Sequence, residues 1–242
     1  MLTAKELKVR YQNSFLGYFW SVAHPLALAC VFYVAFKLVI RIPVEHYALF
    51  LITALFPWQW LANSLTAAPV VYPANTNILK KVAFPRSVLP LSGVVQDGVQ
   101  FLFSVPVIVL FVLVEGGTPS WTWLWGLPLL AAIQFVLVFG LCLAVAAINL
   151  FFRDLERIVT ILLTIGFYFT PILYPLAMVP EAYQGWALAN PLAPLMLSWR
   201  SLWLEGTLSA GFVAWAAAAA VLAMAAGYAL HRRLAWRIVE VL

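Results

Sequence analysis

The side chains that could carry out catalysis are few in this 242-residue sequence, and they form no recognisable catalytic constellation. The three histidines, His24, His46 and His231, are far apart in the sequence, and no HExxH or comparable metal-binding spacing occurs. A phosphate-binding P-loop requires a Gly-Lys pair followed by Ser or Thr, and none of the twelve glycines precedes a lysine. The sequence therefore predicts a protein without catalytic residues, metal or bound cofactor. Any ATP-driven activity would depend on a separate nucleotide-binding partner.

A membrane-embedded glycosyl- or acyltransferase that acts on polyprenyl lipids is the enzymatic alternative. Such an enzyme needs convergent carboxylates or a histidine base at the membrane face. The acidic residues available for this purpose on the predicted cytoplasmic side are Glu6, Asp154 and Glu156. Because so few candidates exist, an enzymatic function of this kind is disfavoured.

Two short segments combine positive charge with apolar side chains. The first spans 75–90 and the second spans 152–157. Basic loops between membrane helices are common on the cytoplasmic side, so their charge alone indicates topology. The first segment also contains apolar side chains that would be costly to expose to water and would suit a groove on a partner protein, namely Ile78, Leu79, Val82 and Phe84.

The elements that must position these segments are transmembrane helices. Of all residues, 65% are hydrophobic and 10% are charged, whereas soluble domains carry about 25% charged residues. Apolar runs of about twenty residues recur along the chain, and each matches a bilayer core of about 30 Å. We therefore expect an all-α membrane protein with six transmembrane helices, at 22–40, 48–68, 88–114, 124–150, 158–176 and 209–230.

The stretch between the fifth and sixth predicted spans is apolar but broken by prolines. A membrane-spanning helix needs continuous backbone hydrogen bonding, which proline interrupts. We therefore expect short re-entrant or interfacial helices over 177–208 instead of a seventh span. An ion-coupled secondary transporter would usually show such broken helices in two repeats, and a single broken region is seen in this sequence. The prolines are Pro171, Pro175, Pro180, Pro191 and Pro194.

Basic residues are concentrated on one predicted side of the membrane. Eleven of the 14 lysines and arginines fall in the same set of loops and tails, and cytoplasmic segments retain positive charge. Both termini are therefore predicted to be cytoplasmic, and the net charge of +5 indicates topology instead of nucleic-acid binding. These residues are Lys5, Lys8, Arg10, Lys80, Lys81, Arg86, Arg153, Arg157, Arg232, Arg233 and Arg237.

The third predicted span contains the polar residues Asp97 and Gln100. Polar groups inside a membrane are costly unless they face protein or water. These side chains could bind a hydroxyl group of a substrate or form a hydrogen bond between helices. The second role is favoured because such residues commonly stabilise packing between spans.

The first 19 residues predict an amphipathic helix in the cytoplasmic membrane interface. Thr3 and Glu6 fit a capping box, and Leu2 and Leu7 fit the accompanying hydrophobic staple. Apolar side chains cluster on one face of this helix and basic and polar side chains on the other, as in interfacial helices. The helix is either a plain membrane anchor or a part of a substrate entry route.

Three stretches of the sequence carry a family pattern, namely LKVRYQNSFLGYFWSVAHP at 7–25, KVAFPRSVLPLS at 81–92 and NLFFRD at 149–154. They resemble the permease subunit of type-2 ABC exporters for polysaccharides and polyol phosphates. The stretches occur in the order typical of that family, and the six-span pattern covers essentially the whole chain. The resemblance is specific for the family and says little about the substrate.

The resemblance implies one transmembrane permease domain over 1–242. Within it, 1–19 is the interfacial helix beside a lateral entry route, and 20–176 holds spans one to five. The external re-entrant segment is 177–208, and 209–242 holds the sixth span and a cytoplasmic tail.

The resemblance also implies the partners. The chain is expected to form a homodimer that docks on two copies of a nucleotide-binding ATPase subunit, which holds ATP and Mg. The family's coupling elements correspond to 75–87 and 152–157. The residues expected to contact the ATPase are Asn77, Leu79, Lys80, Lys81, Phe84, Arg86, Arg153, Asp154, Glu156 and Arg157.

An exporter of this kind is expected to move an undecaprenyl-linked polysaccharide across the bacterial inner membrane. O-antigen, for lipopolysaccharide biosynthesis, is the preferred cargo, and capsule polysaccharide and teichoic acid are the alternatives. Aromatic rings suit a sugar path because their faces stack on the apolar faces of sugar rings. The candidates for this path are Tyr11, Phe15, Tyr18, Phe56, Trp58, Trp60, Phe167, Tyr168 and Tyr174.

Overall fold

The computed structural model describes residues 19–82 and 84–234. The predicted interfacial helix lies almost entirely outside the described residues, and so does the end of the predicted cytoplasmic tail. The path candidates Tyr11, Phe15 and Tyr18 also lie outside the described residues, and their roles stay predictions.

The described residues form helices joined by short turns, with no strand among them. This confirms the all-α prediction. In chain order the elements are α1 (Phe19–Phe32), which continues as a π-helix (Tyr33–Val39), α2 (Tyr47–Ala67), α3 (Val71–Ala74), α4 (Thr76–Lys81), α5 (Val88–Val114), α6 (Thr122–Asn149), α7 (Leu155–Phe169), a 3₁₀ turn (Leu176–Met178), α8 (Glu181–Ala189), α9 (Leu192–Leu204) and α10 (Ala210–Leu234).

Four of the described helices, α2, α5, α6 and α10, are long and apolar enough to cross a membrane. They coincide with the second, third, fourth and sixth predicted spans. The first predicted span is divided between α1 and the π-helix, and the fifth corresponds to α7, which has only 15 residues.

The fifth predicted span, 158–176, is longer than the helix that the structure contains. The helix α7 ends at Phe169, and Thr170 is extended, with φ −90° and ψ 136°. Proline disfavours the helical conformation in the residue before it, so Pro171 stops the helix at this point. Hydropathy alone could not show this boundary, because the residues after Phe169 remain apolar.

The helix α2 lies at the centre of the bundle, where it contacts α1, α5, α6, α7 and α9. A buried side chain of α6 joins two of these neighbours. Gln134 donates from Nε2 to the carbonyl oxygen of Pro57 at 2.7 Å, and its Oε1 accepts from Trp199 Nε1 at 2.7 Å. Buried polar groups are stable only when they are hydrogen-bonded, so Gln134 fixes α2, α6 and α9 in register.

The helices α6 and α10 touch at their backbones. A Cβ atom on Gly227 would lie 1.9 Å from the carbonyl oxygen of Gly140, and one on Gly140 would lie 2.5 Å from Met224 Cα. Glycine on both sides allows this approach, as small residues do at interfaces between membrane helices. The pair therefore behaves as one packed unit.

The non-helical backbone after α7 is held by Arg200 of α9, a residue that is only 6% exposed. Its guanidinium donates to the carbonyl oxygens of Pro171 and Ile172, each at 2.8 Å, and more weakly to that of Phe50 at 3.3 Å. Tyr47 adds a hydrogen bond from its hydroxyl to the carbonyl of Leu173 at 2.8 Å. The carbonyl groups released by the helix break therefore find partners inside the protein, as a low-dielectric surrounding requires.

Candidate functional site

The two charged segments lie at the same end of the helix bundle, which we call the basic end. Asn149, the last residue of α6, donates from Nδ2 to the carbonyl oxygen of Pro69 at 2.9 Å. This bond joins the turn before α3 to the end of α6, where the second charged segment follows. Leu79 of the first segment also shares a small buried cluster with Leu150, so 75–87 and 152–157 lie near each other at this end of the bundle.

The first charged segment, described here as residues 71–82 and 84–86 and called the docking segment after its predicted role, is shaped by its own side chains. Asn75 donates from Nδ2 to the carbonyl oxygen of Val71 at 2.9 Å, and the Thr76 hydroxyl donates to that of Pro73 at 2.8 Å. These bonds fix the bend between α3 and α4. The helix α4 then ends because Val82 adopts an extended conformation.

The predicted coupling residues of the docking segment differ in exposure. Asn77, Lys80 and Lys81 are exposed, whereas Phe84 and Arg86 are half-buried. Leu79 is buried and packs inward, so it supports the segment and is accessible only where it lines the adjoining cavity. A cavity of about 590 Å³ is lined by residues 79–82 and 84–86 and is open for an inserted side chain.

The second segment presents its charges fully. Arg153, Asp154, Glu156 and Arg157 are all exposed. Asp154 and Glu156 also lie at the amino end of α7, where negative charge is favoured by the helix dipole. The two acids therefore have a local stabilising role as well as the predicted role in partner contact.

A small buried cluster supports the docking segment. It consists of Tyr72, Leu79, Leu89, Ala146 and Leu150, and is separate from the main core. Within it, the Tyr72 hydroxyl is hydrogen-bonded to Nδ1 of His231, at the end of α10, at 3.2 Å. Burial raises the pKa of the Tyr72 phenol well above its ordinary value, although nearby Arg86 lowers it, so the phenol stays protonated and can donate.

A groove with a volume of about 320 Å³, which we call the aromatic groove, runs between α1, α2 and α7. Three of the predicted path residues, Trp58, Phe167 and Tyr168, line it. The ring of Phe167 is central, with its centroid 5.7 Å from Trp58 and 5.4 Å from Tyr168. Polar side chains line the same groove, namely Gln59, Thr66, Thr160 and Thr164. Aromatic faces and hydroxyl or amide groups together match the two kinds of surface that a sugar presents.

The remaining described path candidates lie elsewhere. Phe56 and Trp60 are buried in the core, and Trp60 donates from Nε1 to the carbonyl oxygen of Val94 at 3.1 Å. Tyr174 lies in the broken segment, where its hydroxyl donates to the carbonyl of Tyr168 at 2.9 Å. The predicted set therefore divides into residues that line the groove, of which Trp58 also belongs to the core, and residues whose contacts are those of packing alone.

Of the two predicted intramembrane polar residues, Asp97 lines a second cavity and Gln100 does not. Asp97 accepts a hydrogen bond from the Ser64 hydroxyl at 2.8 Å, which joins α5 to α2. A cavity of about 340 Å³ is lined by Asp97, Gln96 and Asn63 and shares Thr66 with the aromatic groove. Gln100 has a buried Nε2 atom without a hydrogen-bond partner in the described part of the chain.

Two arrangements in the structure were not predictable from the sequence. Arg200 was recognisable as a charge in an apolar, proline-rich stretch, but nothing in the sequence pointed to carbonyls of Pro171 and Ile172 as its partners. The contact between Tyr72 and His231 joins residues 159 positions apart. A polar residue at the end of a predicted span was the only available signal for His231.

The sequence matches one transporter family and is similar to named transport proteins. Residues 1–204 match the ABC-2 type transporter family. The chain is 46% identical over its full length to 93% of an O-antigen export system permease protein, RfbA, of Klebsiella pneumoniae. It is 35% identical to the protein of that name in Myxococcus xanthus, over 84% of this chain and 79% of the relative. It is 23% identical to the polysialic acid transport protein KpsM of Escherichia coli, over 87% of this chain and 82% of the relative.

Proposed function

Because the chain belongs to the ABC-2 type transporter family, we propose that it is the channel-forming permease subunit of an ATP-driven exporter of undecaprenyl-linked polysaccharide, with O-antigen as the cargo. It is a multi-pass inner-membrane protein, and its family implies an ATP-binding partner. Identity of 46% over the whole chain to a permease named for O-antigen export carries this proposal.

The proposed topology has six spans with both termini in the cytoplasm. In addition to the four long helices, α1 with its π-helix and α7 cross the membrane. The positive charge at the basic end supports a cytoplasmic position for it. The helices α8 and α9 form the external re-entrant segment, and the bonds of Arg200 support this because non-helical backbone at membrane depth is tolerated where the protein satisfies it.

The proposed assembly is a homodimer with two copies of the ATPase, which hold ATP and Mg. The exposed side chains of Lys80, Lys81, Arg153 and Arg157 offer charge at the docking surface. The cavity within the docking segment accepts a side chain of the ATPase. Displacement of the ATPase on nucleotide binding and hydrolysis is then transmitted to the membrane helices.

The proposed sugar path follows the groove between α1, α2 and α7. Phe167 and Tyr168 provide stacking faces, whereas Thr160 and Thr164 provide hydroxyl groups. Weak contacts of this kind let a polymer move on, since no single contact holds it. The adjoining cavity at Asp97 extends the polar part of the path toward α5.

Capsule polysaccharide is the second candidate cargo, favoured by the 23% identity to a polysialic acid transport protein. This relative is more distant than those named for O-antigen export, so capsule polysaccharide ranks below O-antigen as the proposed cargo. Teichoic acid is the third candidate, by resemblance to the wider family.

Purification of the tagged chain in mild detergent tests the proposed function. We expect a P-loop ATPase to copurify in a ratio of two to two, and we expect lipid-linked glycan to accumulate inside cells that lack the chain. A chain that purifies alone and transfers sugar or acyl groups to a polyprenyl lipid would contradict the proposal and favour the transferase.

Substitutions at the docking surface should separate assembly in the membrane from coupling. In Arg86→Ala and Asp154→Ala, we expect glycan export to fall by at least about fivefold, because each change weakens the interaction that links two proteins. Membrane insertion should be unchanged. The measurement is export in cells together with substrate-stimulated ATP hydrolysis by the purified complex. Normal values of both quantities in both variants would contradict these coupling assignments.

The aromatic groove gives a separate prediction. Tyr168→Ala should reduce export by about threefold to tenfold, the effect of losing one stacking ring. The variant retains the backbone carbonyl of residue 168, which accepts the hydrogen bond from the Tyr174 hydroxyl, so the broken segment should stay folded. Tyr228→Ala is the matched control, because Tyr168 and Tyr228 are both 55% exposed and Tyr228 lies on α10, away from the groove. Equal export by the two variants would argue against a sugar path in this groove.

A further inference from the structure

The docking segment rests on the small buried cluster, which is separate from the main core. The small cluster contains Ala146 and Leu150 from the end of α6 and Leu89 from the start of α5. These contacts are apolar and bury Tyr72 completely. A displacement of the docking segment is therefore transmitted directly to the end of α6, because the close-packed side chains between them can rearrange very little.

Two polar contacts reinforce this support. Asn149 of α6 bonds the carbonyl of Pro69 at 2.9 Å, just before the segment begins. Tyr72 bonds His231 of α10 at 3.2 Å, and the two rings are stacked with their centroids 6.3 Å apart. Both side chains of the second pair are buried, so water does not compete for the bond.

The two helices that receive these contacts are themselves joined. Gly140 and Gly227 allow the backbones of the two helices to pack in direct contact. The helix α10 packs mainly on α6 and α9. A force applied at His231 and Asn149 would therefore move α6 and α10 together and not bend one against the other.

We propose that the Tyr72–His231 contact, together with the Asn149–Pro69 bond, transmits the displacement of the docking segment to the α6–α10 pair. Tyr72, His231 and Asn149 are thus positioning residues for transport, which act through the docking segment and touch neither ATP nor sugar. This inference rests on the proposed function, because it presupposes an ATPase that docks at the basic end. It adds the route by which the ATPase moves the membrane helices.

Tyr72→Phe is the variant that tests this route. It removes one hydroxyl and keeps the ring that fills the small cluster. In the complete permease–ATPase complex, reconstituted into vesicles of bacterial lipid extract, we expect ATP hydrolysis within about twofold of wild type. Glycan export in cells should fall about threefold to tenfold, as expected for loss of one buried hydrogen bond. Tyr228→Phe, on the exposed face of α10, is the control and should export normally.

A double-mutant cycle separates transmission from general destabilisation. His231→Phe keeps a stacked ring but removes the hydrogen-bond partner of Tyr72, so it should reproduce the defect of Tyr72→Phe, and the double variant should be no worse than either. Additive losses, a parallel fall of ATP hydrolysis and export, or normal export in Tyr72→Phe would each overturn the inference. If the wild-type complex itself exports no glycan, the proposed function fails and the inference fails with it. Wild-type export with an unaffected Tyr72→Phe variant refutes the inference alone.

Discussion

Replacing Arg200 by Met should unfold the segment between α7 and α9. The substitution keeps much of the side-chain volume but leaves the carbonyl oxygens of Pro171 and Ile172 without donors. Each buried acceptor left unpaired costs about 1–3 kcal/mol, and relief of the buried charge offsets a part of that sum. We expect a loss of about 3 kcal/mol in stability. The apparent Tm of the purified protein in detergent should fall by about 10 °C.

Two control variants, Arg200→Lys and Arg232→Met, distinguish loss of the guanidinium hydrogen bonds from loss of a positive charge. Arg200→Lys keeps the charge but cannot reach several carbonyl groups at once, because it lacks the planar fork of the guanidinium. Its Tm should therefore lie between those of wild type and Arg200→Met. Arg232→Met removes an exposed arginine and should leave the Tm nearly unchanged. A Tm for Arg200→Met equal to that of Arg232→Met would show that the guanidinium does not hold the broken segment.

Gly227→Val should separate α6 from α10. The first added carbon would lie 1.9 Å from the carbonyl oxygen of Gly140, which belongs to the backbone and cannot rotate away. The two helices must move apart by more than about 1 Å to restore ordinary contact distances. We expect a cost of about 3 kcal/mol or more, as for severe overpacking, and loss of export. The measurements are Tm, fluorescence-detected size-exclusion chromatography and glycan export.

Two further variants test the position of that contact. Gly140→Ala should give a similar defect from the other helix, because its Cβ would lie 2.5 Å from Met224 Cα. Gly211→Ala lies on α10 as well, and the nearest atom to its Cβ would be Ser209 Oγ at 3.9 Å. This control should be neutral or slightly more stable, since alanine favours helix more than glycine does. Comparable losses in Gly211→Ala and Gly227→Val would mean that the defect reflects helix propensity and not contact.

Local chemistry explains what could be predicted along the chain. The spans α2, α5, α6 and α10 were predictable because lipid imposes a minimum length of continuous apolar helix. The proline-rich stretch after α7 was predictable as a break for the same backbone reason, although the boundary at Phe169 was not. The charged segments could be selected because their apolar side chains conflict with an ordinary solvated loop.

Exposure within the candidate site was harder to predict. Leu79 was a reasonable contact residue by composition, yet it faces the small cluster. Trp58 and Trp60 are two residues apart on α2, and only Trp58 lines the groove. Residues two apart on a helix point in different directions, but which direction meets the groove depends on how the neighbouring helices pack.

The sequence by itself determined that this protein lies in a lipid bilayer, that it is helical, that its basic residues are concentrated in a few segments and that it lacks a P-loop. Each of these properties depends on residue composition or on short-range spacing. The tertiary structure alone decided which polar groups meet: Ser64 with Asp97, Tyr72 with His231, and Arg200 with the backbone after α7. Each pairing depends on the rotation and register of helices that are distant in sequence, and those are set by packing of the whole bundle.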